Sequence, residues 1–332
     1  IEELERLPAP MPGELEVRRE RLDAVRLDFR SRLGGTVDGT SRAMAYFSET
    51  MRQMVGMDAV KAELRAILEG LLLNRRRAQL GEAVEPQRLH LAFVGNPGTG
   101  KTTVARLYAE VLATLEILPS ARFIEADRSN FVAEYAGQTE AKTMQLIDRA
   151  TGGVLFIDEA YGLHDNNGPG AHFGQEATNI LVKQMEDRRD QLMVIFAGYE
   201  QETFAFFDSN PGLRSRIGHV VSFPDYDDAA LTAIVAQQCE RTHTLLAPGT
   251  MDRIAEVLRE LRQSDPHGFG NARSVENLLA VARRNLAMRI AALGSFATDD
   301  EAHTLVPDDI ALPPQPKKRT IGFAPSSSQS SQ

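Results

Sequence analysis

The sequence predicts an α/β fold, with a five-stranded parallel sheet between helices and a small helical C-terminal domain. Three observations carry this. Apolar runs at residues 89–94, 122–126, 153–157, 192–197 and 219–223 alternate with helix-patterned segments, as in a parallel sheet covered on both faces. Gly95-Asn96-Pro97-Gly98-Thr99-Gly100-Lys101-Thr102 joins the first run to a helix pattern over 102–113, the context of a phosphate-binding loop. From Asp225 to about residue 293 strand signals stop and apolar residues recur at helical spacing.

Residues 1–13 hold Pro8, Pro10, Pro12 and Gly13 and read as a linker or tail. Leu22, Val25, Phe29 and Leu33 make residues 14–33 an amphipathic helix, expected to pack on its own domain, on a neighbour or on a further N-terminal domain. Met44, Phe47 and Met51 mark a short helix, and Met51, Met54 and Met57 suit core filling. A longer helix follows with Val60, Leu64, Ile67 and Leu71 on one face; Arg75, Arg76 and Arg77 at its end read as solvated cations suited to the helix dipole. Residues 81–88 form a loop before the first strand. Beyond the sheet, Leu231, Ile234 and Val235, then Ile254, Val257, Leu258 and Leu261, then Val275, Leu278, Leu279, Ala282 and Leu286 mark three helices. A short strand near 305–306 and a helix start at Asp308 close this domain. Residues 312–332, rich in Pro, Lys and Ser, are expected to be disordered. The division is therefore an extension at 1–53, an α/β domain at 54–224, a helical domain at 225–311 and a tail at 312–332.

Composition narrows the class. Of 332 residues, 42% are hydrophobic and 25% charged, as in globular proteins, and the net charge of −9 argues against a nucleic-acid surface as the main partner. Cys239 stands alone in a helical apolar pattern and reads as a small core residue; the absence of a cysteine pair fits a reducing cytoplasm. No apolar run approaches the roughly 18 residues of a membrane span, and no secretory signal is visible.

Chemistry is expected at the carboxyl ends of the strands. Glycines let backbone N–H groups converge on a phosphate, Lys101 adds a point charge for the β/γ-phosphates, and the Thr102 hydroxyl suits Mg²⁺. The third apolar run ends in Asp158 and Glu159, a carboxylate for Mg²⁺ and a general base for the attacking water. Arg214 and Arg216 precede the last strand, where an arginine serves in a surface ion pair or as a finger on a neighbour's nucleotide. Arg273 opens the third helix of the small domain, as a helix-end arginine or as one that reaches the phosphates. Tyr135-Ala136-Gly137 is a packed turn or a loop that grips a polypeptide.

The order and detail of these motifs resemble the CbxX/CfqX family of AAA+ ATPases. The resemblance covers about residues 54–310 and rests on the loop, Gly-Gly-Val-Leu-Phe-Ile-Asp-Glu-Ala-Tyr (152–161), Phe-Gly-Gln-Glu-Ala (173–177), Ala-Gly-Tyr (197–199), Phe-Pro-Asp-Tyr (223–226) and Gly-Asn-Ala-Arg (270–273). It implies a P-loop NTPase with a helical lid, working as a homo-hexamer with ATP and Mg between subunits and a protein client in a central pore. It assigns Asn96, Pro97, Gly98, Thr99, Gly100, Lys101, Thr102 and Thr103 to the phosphates, and Thr102 and Asp158 to the metal. Glu159 becomes the base. Arg216, with Arg214 as alternative, becomes the trans finger, Arg273 the second sensor, and Val55 and Gly56 the segment beside adenine. Tyr135, Ala136 and Gly137 become the pore loop, with a second one over 164–173. Where many AAA+ proteins carry Asn or Thr as a first sensor, this chain offers Tyr199 and Glu200. Two groups of the family fit: activases of red-type Rubisco, whose client is the large subunit, and ATPases of type VII secretion. The motifs at 209–217, 223–226 and 271–275 look closer to the activases. A nucleic-acid loader fits less well, because Glu134 and Glu140 flank Tyr135 and Lys142 comes only afterwards.

Overall fold

The computed structural model describes residues 38–52, 54–84, 88–132, 137–164, 171–266, 268–294 and 298–313. The helix expected at 14–33, Tyr135, Ala136, most of the second expected pore loop and nearly all of the tail lie outside them.

Helices α1 (Asp38–Arg52) and α2 (Asp58–Gln79) lead into β1 (His90–Gly95) and α3 (Lys101–Thr114). There follow β2 (Phe123–Ala126), the short α4 (Arg128–Phe131), α5 (Thr139–Ala150), β3 (Val154–Ile157), a 3₁₀ turn (Ala160–His164) and α6 (Ala171–Asp187). Then come β4 (Met193–Gly198), α7 (Glu200–Ser209), the short α8 (Pro211–Arg214) and β5 (Ile217–Phe223). The sheet is parallel throughout, in the order β2-β3-β4-β1-β5.

Period-two alternation divides its side chains between two cores. Leu91, Phe93, Val154, Phe156, Met193 and Ile195 face α1, α2 and α3, with Met44, Phe47, Met51, Leu64 and Tyr108 in the same cluster. Ala92, Leu155, Ile157, Val194 and Phe196 face the other way, onto Phe131, Leu146, Ile147, Leu181, Met185, Phe206 and Leu213. Buried on both faces, the central strands β1, β3 and β4 read as continuous apolar runs, while the edge strands β2 and β5 are partly exposed. Local chemistry sets the joints: Asp127 accepts from Ser129 N–H in a capping box that starts α4, and Asn210 accepts from Leu213 N–H to start α8 with Pro211 in its first turn.

The small unit comprises α9 (Asp228–Arg241), β6 (Leu245–Leu246), α10 (Thr250–Ser264), α11 (Ala272–Leu293), α12 (Asp299–His303), β7 (Thr304–Leu305) and a 3₁₀ turn (Pro307–Asp309). Its core holds Leu231, Val235, Ile254, Val257, Leu278 and Leu279, with Cys239 buried among them and its thiol pKa pushed up by burial. Two expectations are corrected. Strand structure does not stop at Asp225: β6 pairs in parallel with β7, and two residues are too few to show a period. Arg75 is not merely solvated. Its guanidinium donates to the Leu115 carbonyl just past α3 and pairs with Glu116 at 3.3 Å, closing the carbonyl end of a neighbouring helix.

Candidate functional site

Parallel register brings the expected residues to one edge of the sheet. Gly95 pairs with Phe223, Val94 with Gly198, and Ile157 with Phe196, so the loop after β1, Asp158-Glu159 after β3, Tyr199-Glu200 after β4 and Asp225 after β5 emerge side by side.

The loop is shaped by close backbone approach. A Cβ on Gly98, whose φ is +69°, would lie 1.9 Å from the Gly270 carbonyl oxygen; one on Gly95 would lie 2.3 Å from that of Phe223. Gly100 then caps α3 at φ 88°, so the free N–H groups of the helix's first turn face the loop's concavity. Lys101 Nζ donates to the carbonyls of Gly95 and Asn96, both at 2.8 Å. Burial lowers the pKa of Lys101; Asp158 raises it, Arg273 lowers it and Asp225 raises it, so these charges converge on the amine. Thr102 is half-buried and Thr103 exposed.

Asp158 continues the β3 ladder through its N–H to Ala126 O at 2.8 Å, and its Oδ1 accepts from Glu159 N–H at 3.1 Å. Glu159 has φ 46°, a left-handed conformation uncommon for a residue with a side chain, which turns it out of the strand and leaves it exposed. The Tyr161 hydroxyl is pushed up to about 12 by burial and then by Glu159, Tyr199, Glu202 and Asp158. The Tyr161 and Tyr199 rings lie 6.2 Å apart, and Glu200 begins α7. Half-buried hydroxyl and carboxylate oxygens at an edge that also holds a half-buried ammonium form a donor set that fits a hard cation bound with phosphate.

Val55 and Met57 pack on the core of the small unit, and Gly56 lies against Tyr226 and Ala230. Arg273, in the first turn of α11, is exposed above the loop. Gly137 has φ 82°, just ahead of α5.

Arg214 and Arg216 stand elsewhere. The strand after them pairs Ile217 with His90, at the beginning of β1, whereas the loop follows its end. Six residues of β1 at about 3.3 Å each put roughly 20 Å between these arginines and the loop of the same chain. Arg216 is 25% exposed, donates to Gly212 O at 2.8 Å and lies 3.4 Å from Glu186; Arg214 is exposed and pairs with Asp208. His90, 3% exposed, supports this end: Nδ1 accepts from Val194 N–H at 3.1 Å and Nε2 donates to Met185 O at 3.2 Å. Burial lowers its pKa to about 4 and holds it neutral.

Sequence reasoning missed what joins the loop to the small unit. Asn271 Nδ2 donates to Pro97 O at 3.2 Å and to Asp225 Oδ1 at 2.8 Å, while its Oδ1 accepts from Tyr226 N–H at 3.0 Å. Asn96 Nδ2 donates to both Asp225 oxygens at 3.0 Å. Ala272 N–H donates to Gly98 O at 3.1 Å, and the Tyr226 hydroxyl to Thr99 O at 3.4 Å. The available signal was an Asn between Gly270 and a helix start, a position open to left-handed backbone.

Comparison with known proteins agrees with this geometry. Residues 91–225 match the model of the "ATPase family associated with various cellular activities (AAA)", and residues 227–320 match "AAA lid domain". The chain is 41% identical over 273 residues to protein CbbX of Cereibacter sphaeroides, covering 81% of this chain and 87% of that protein. It is 40% identical over 262 residues to the chloroplastic ribulose bisphosphate carboxylase/oxygenase activase of Cyanidioschyzon merolae, covering 78% and 88%. The FIGL-1 AAA domain, crystallised with ADP, shares the fold at a TM-score of 0.54 and 19% identity, covering 77% of this chain and 80% of that one.

Proposed function

The chain belongs to the CbxX/CfqX family of AAA+ ATPases, and from that premise we propose that it is a homo-hexameric motor that remodels a protein client, the large subunit of ribulose bisphosphate carboxylase/oxygenase. ATP hydrolysis comes with the family. In this reading the α/β domain spans 54–224, the lid 225–311, and the protein works in the cytoplasm.

The loop amides and Lys101 hold the phosphates, with Val55 and Gly56 beside the base. Thr102 and Asp158 would hold Mg²⁺, which when bound neutralises charge on the phosphates. Glu159 orients and deprotonates water. Arg273 reports the state of the site to the lid. Arg216 of a neighbouring copy, or Arg214, stabilises charge on the phosphoryl group being transferred. Tyr135, Ala136 and Gly137 grip the client. The observation that supports this reading is the separation of roughly 20 Å between Arg216 and its own loop, so that a finger role for Arg216 requires a second copy. A carboxylase client is supported by the printed name of the Cyanidioschyzon merolae relative, and the large subunit by the resemblance to the activases.

A substrate trap tests it. Glu159→Gln retains ATP without turning it over, so captured from its native cells with ATP it should co-purify with the carboxylase large subunit. Another protein in the trap, such as a secretion substrate, would keep the motor and refute the client. Nucleic acid alone would refute protein remodelling.

A further inference from the structure

We propose that the lid holds the phosphate-binding loop in its anion-accepting form, with Asn271 and Asp225 as the positioning residues. This deepens the functional reading above and rests on nucleotide binding at the loop.

The argument begins with peptide geometry. In a trans peptide the C=O of one residue and the N–H of the next point in opposite directions. The carbonyls of Pro97, Gly98 and Thr99 accept from Asn271 Nδ2, Ala272 N–H and the Tyr226 hydroxyl, all donors beyond the end of the sheet. Each bond turns the following N–H, on Gly98, Thr99 or Gly100, away from the lid and into the loop's concavity. Successive N–H groups converging in this way form an anion nest, and a carbonyl turned inward would repel the same anion. The orientation of these peptide planes is thus set from the small unit.

Asn271 is built for that task. It is 0% exposed, has φ 49°, and uses its whole amide: the N–H₂ on Pro97 O and Asp225, the oxygen on Tyr226 N–H. Asp225 joins the two sides, accepting from Asn96 of the loop and Asn271 of the lid. It sits between β5 and α9, in the connection about which the lid would turn. A carboxylate within electrostatic reach of Lys101 works against binding an anion. Its presence there makes sense if its hydrogen bonds contribute more than its charge costs. Lid closure and phosphate grip are then one equilibrium: a lid that swings away releases the peptide planes and loosens the phosphates.

The test uses the full chain and two ligands, ADP and adenosine, titrated by calorimetry and by ligand-observed NMR. Asp225→Asn removes the charge and keeps the shape; Asn271→Leu removes the whole amide at similar volume without adding a charge. The proposal expects each to weaken ADP by about tenfold or more, the scale of a lost charge-assisted hydrogen bond. Adenosine affinity should change less than about twofold. A charge-only account expects Asp225→Asn to tighten ADP binding, and that result, or an unchanged ADP affinity, overturns the proposal. Equal loss for both ligands would mark a merely structural role and overturns it as well. Asn96→Ala, which frees the loop from Asp225 at an exposed position, should weaken ADP in the same direction. Wild-type protein that binds no ADP would refute the nucleotide reading itself; wild type that binds with indifferent variants refutes only the positioning role.

Discussion

At its carboxyl end β1 runs into a loop whose hydrogen bonds cross to the lid, through Asn271, Ala272 and Tyr226. At its amino end His90 is bonded within the α/β domain alone, to Val194 and Met185, beside the Arg216–Glu186 pair. One end is jointed and the other fixed. A joint suits a site that must close on a ligand and open again. A fixed end suits a group that must be presented at a constant position to something outside the chain. In the proposed reading the same strand would then serve two different sites.

The largest test of this contrast is Arg216→Ala. It should lower ATP turnover by about 10³-fold or more, as for trans arginines generally, while ADP affinity stays near wild type. Normal turnover in that variant would leave the fixed end without a catalytic purpose. Next comes the rigidity of the amino end. His90 has a folded pKa of about 4 against an ordinary 6.5, so the native state favours the neutral ring. Its contribution is complete above pH 6.5 and is lost as pH falls toward 4, by about 3 kcal/mol across that range. Denaturant melts of His90→Gln should lack this component; a variant with the same pH slope as wild type would show that His90 is not the neutral tie described. The smallest effect is expected from Gly98→Ala, which pushes loop and lid apart at the Gly270 carbonyl and should weaken ADP by about tenfold. Unchanged affinity would mean that the joint is looser than its contacts imply.

Much of this was legible in the sequence for identifiable reasons. The central strands are buried on both faces, so runs such as Val154–Ile157 stand out, and the glycine loop and acidic pair follow strands directly. Residues whose meaning depends on distant chain were not legible. Asn271 acquires its role only when α11 folds back on a loop far earlier in the chain, and a lone histidine inside an apolar run gives no hint that it will bridge β4 and α6. Strand β6 is too short for any period, and Arg75 reads as a solvated cation in the sequence because α3's end comes beside it only in the tertiary fold.

The central claim, that one chain's sheet serves two copies, is tested most directly by mixing. Arg216→Ala has an intact loop and no finger; Glu159→Gln has a finger and no base. Alone, each should be nearly inactive. Mixed before assembly, they should recover ATP turnover, because the Arg216→Ala site then meets an intact arginine from its neighbour. A mixture as inactive as its components would contradict the account.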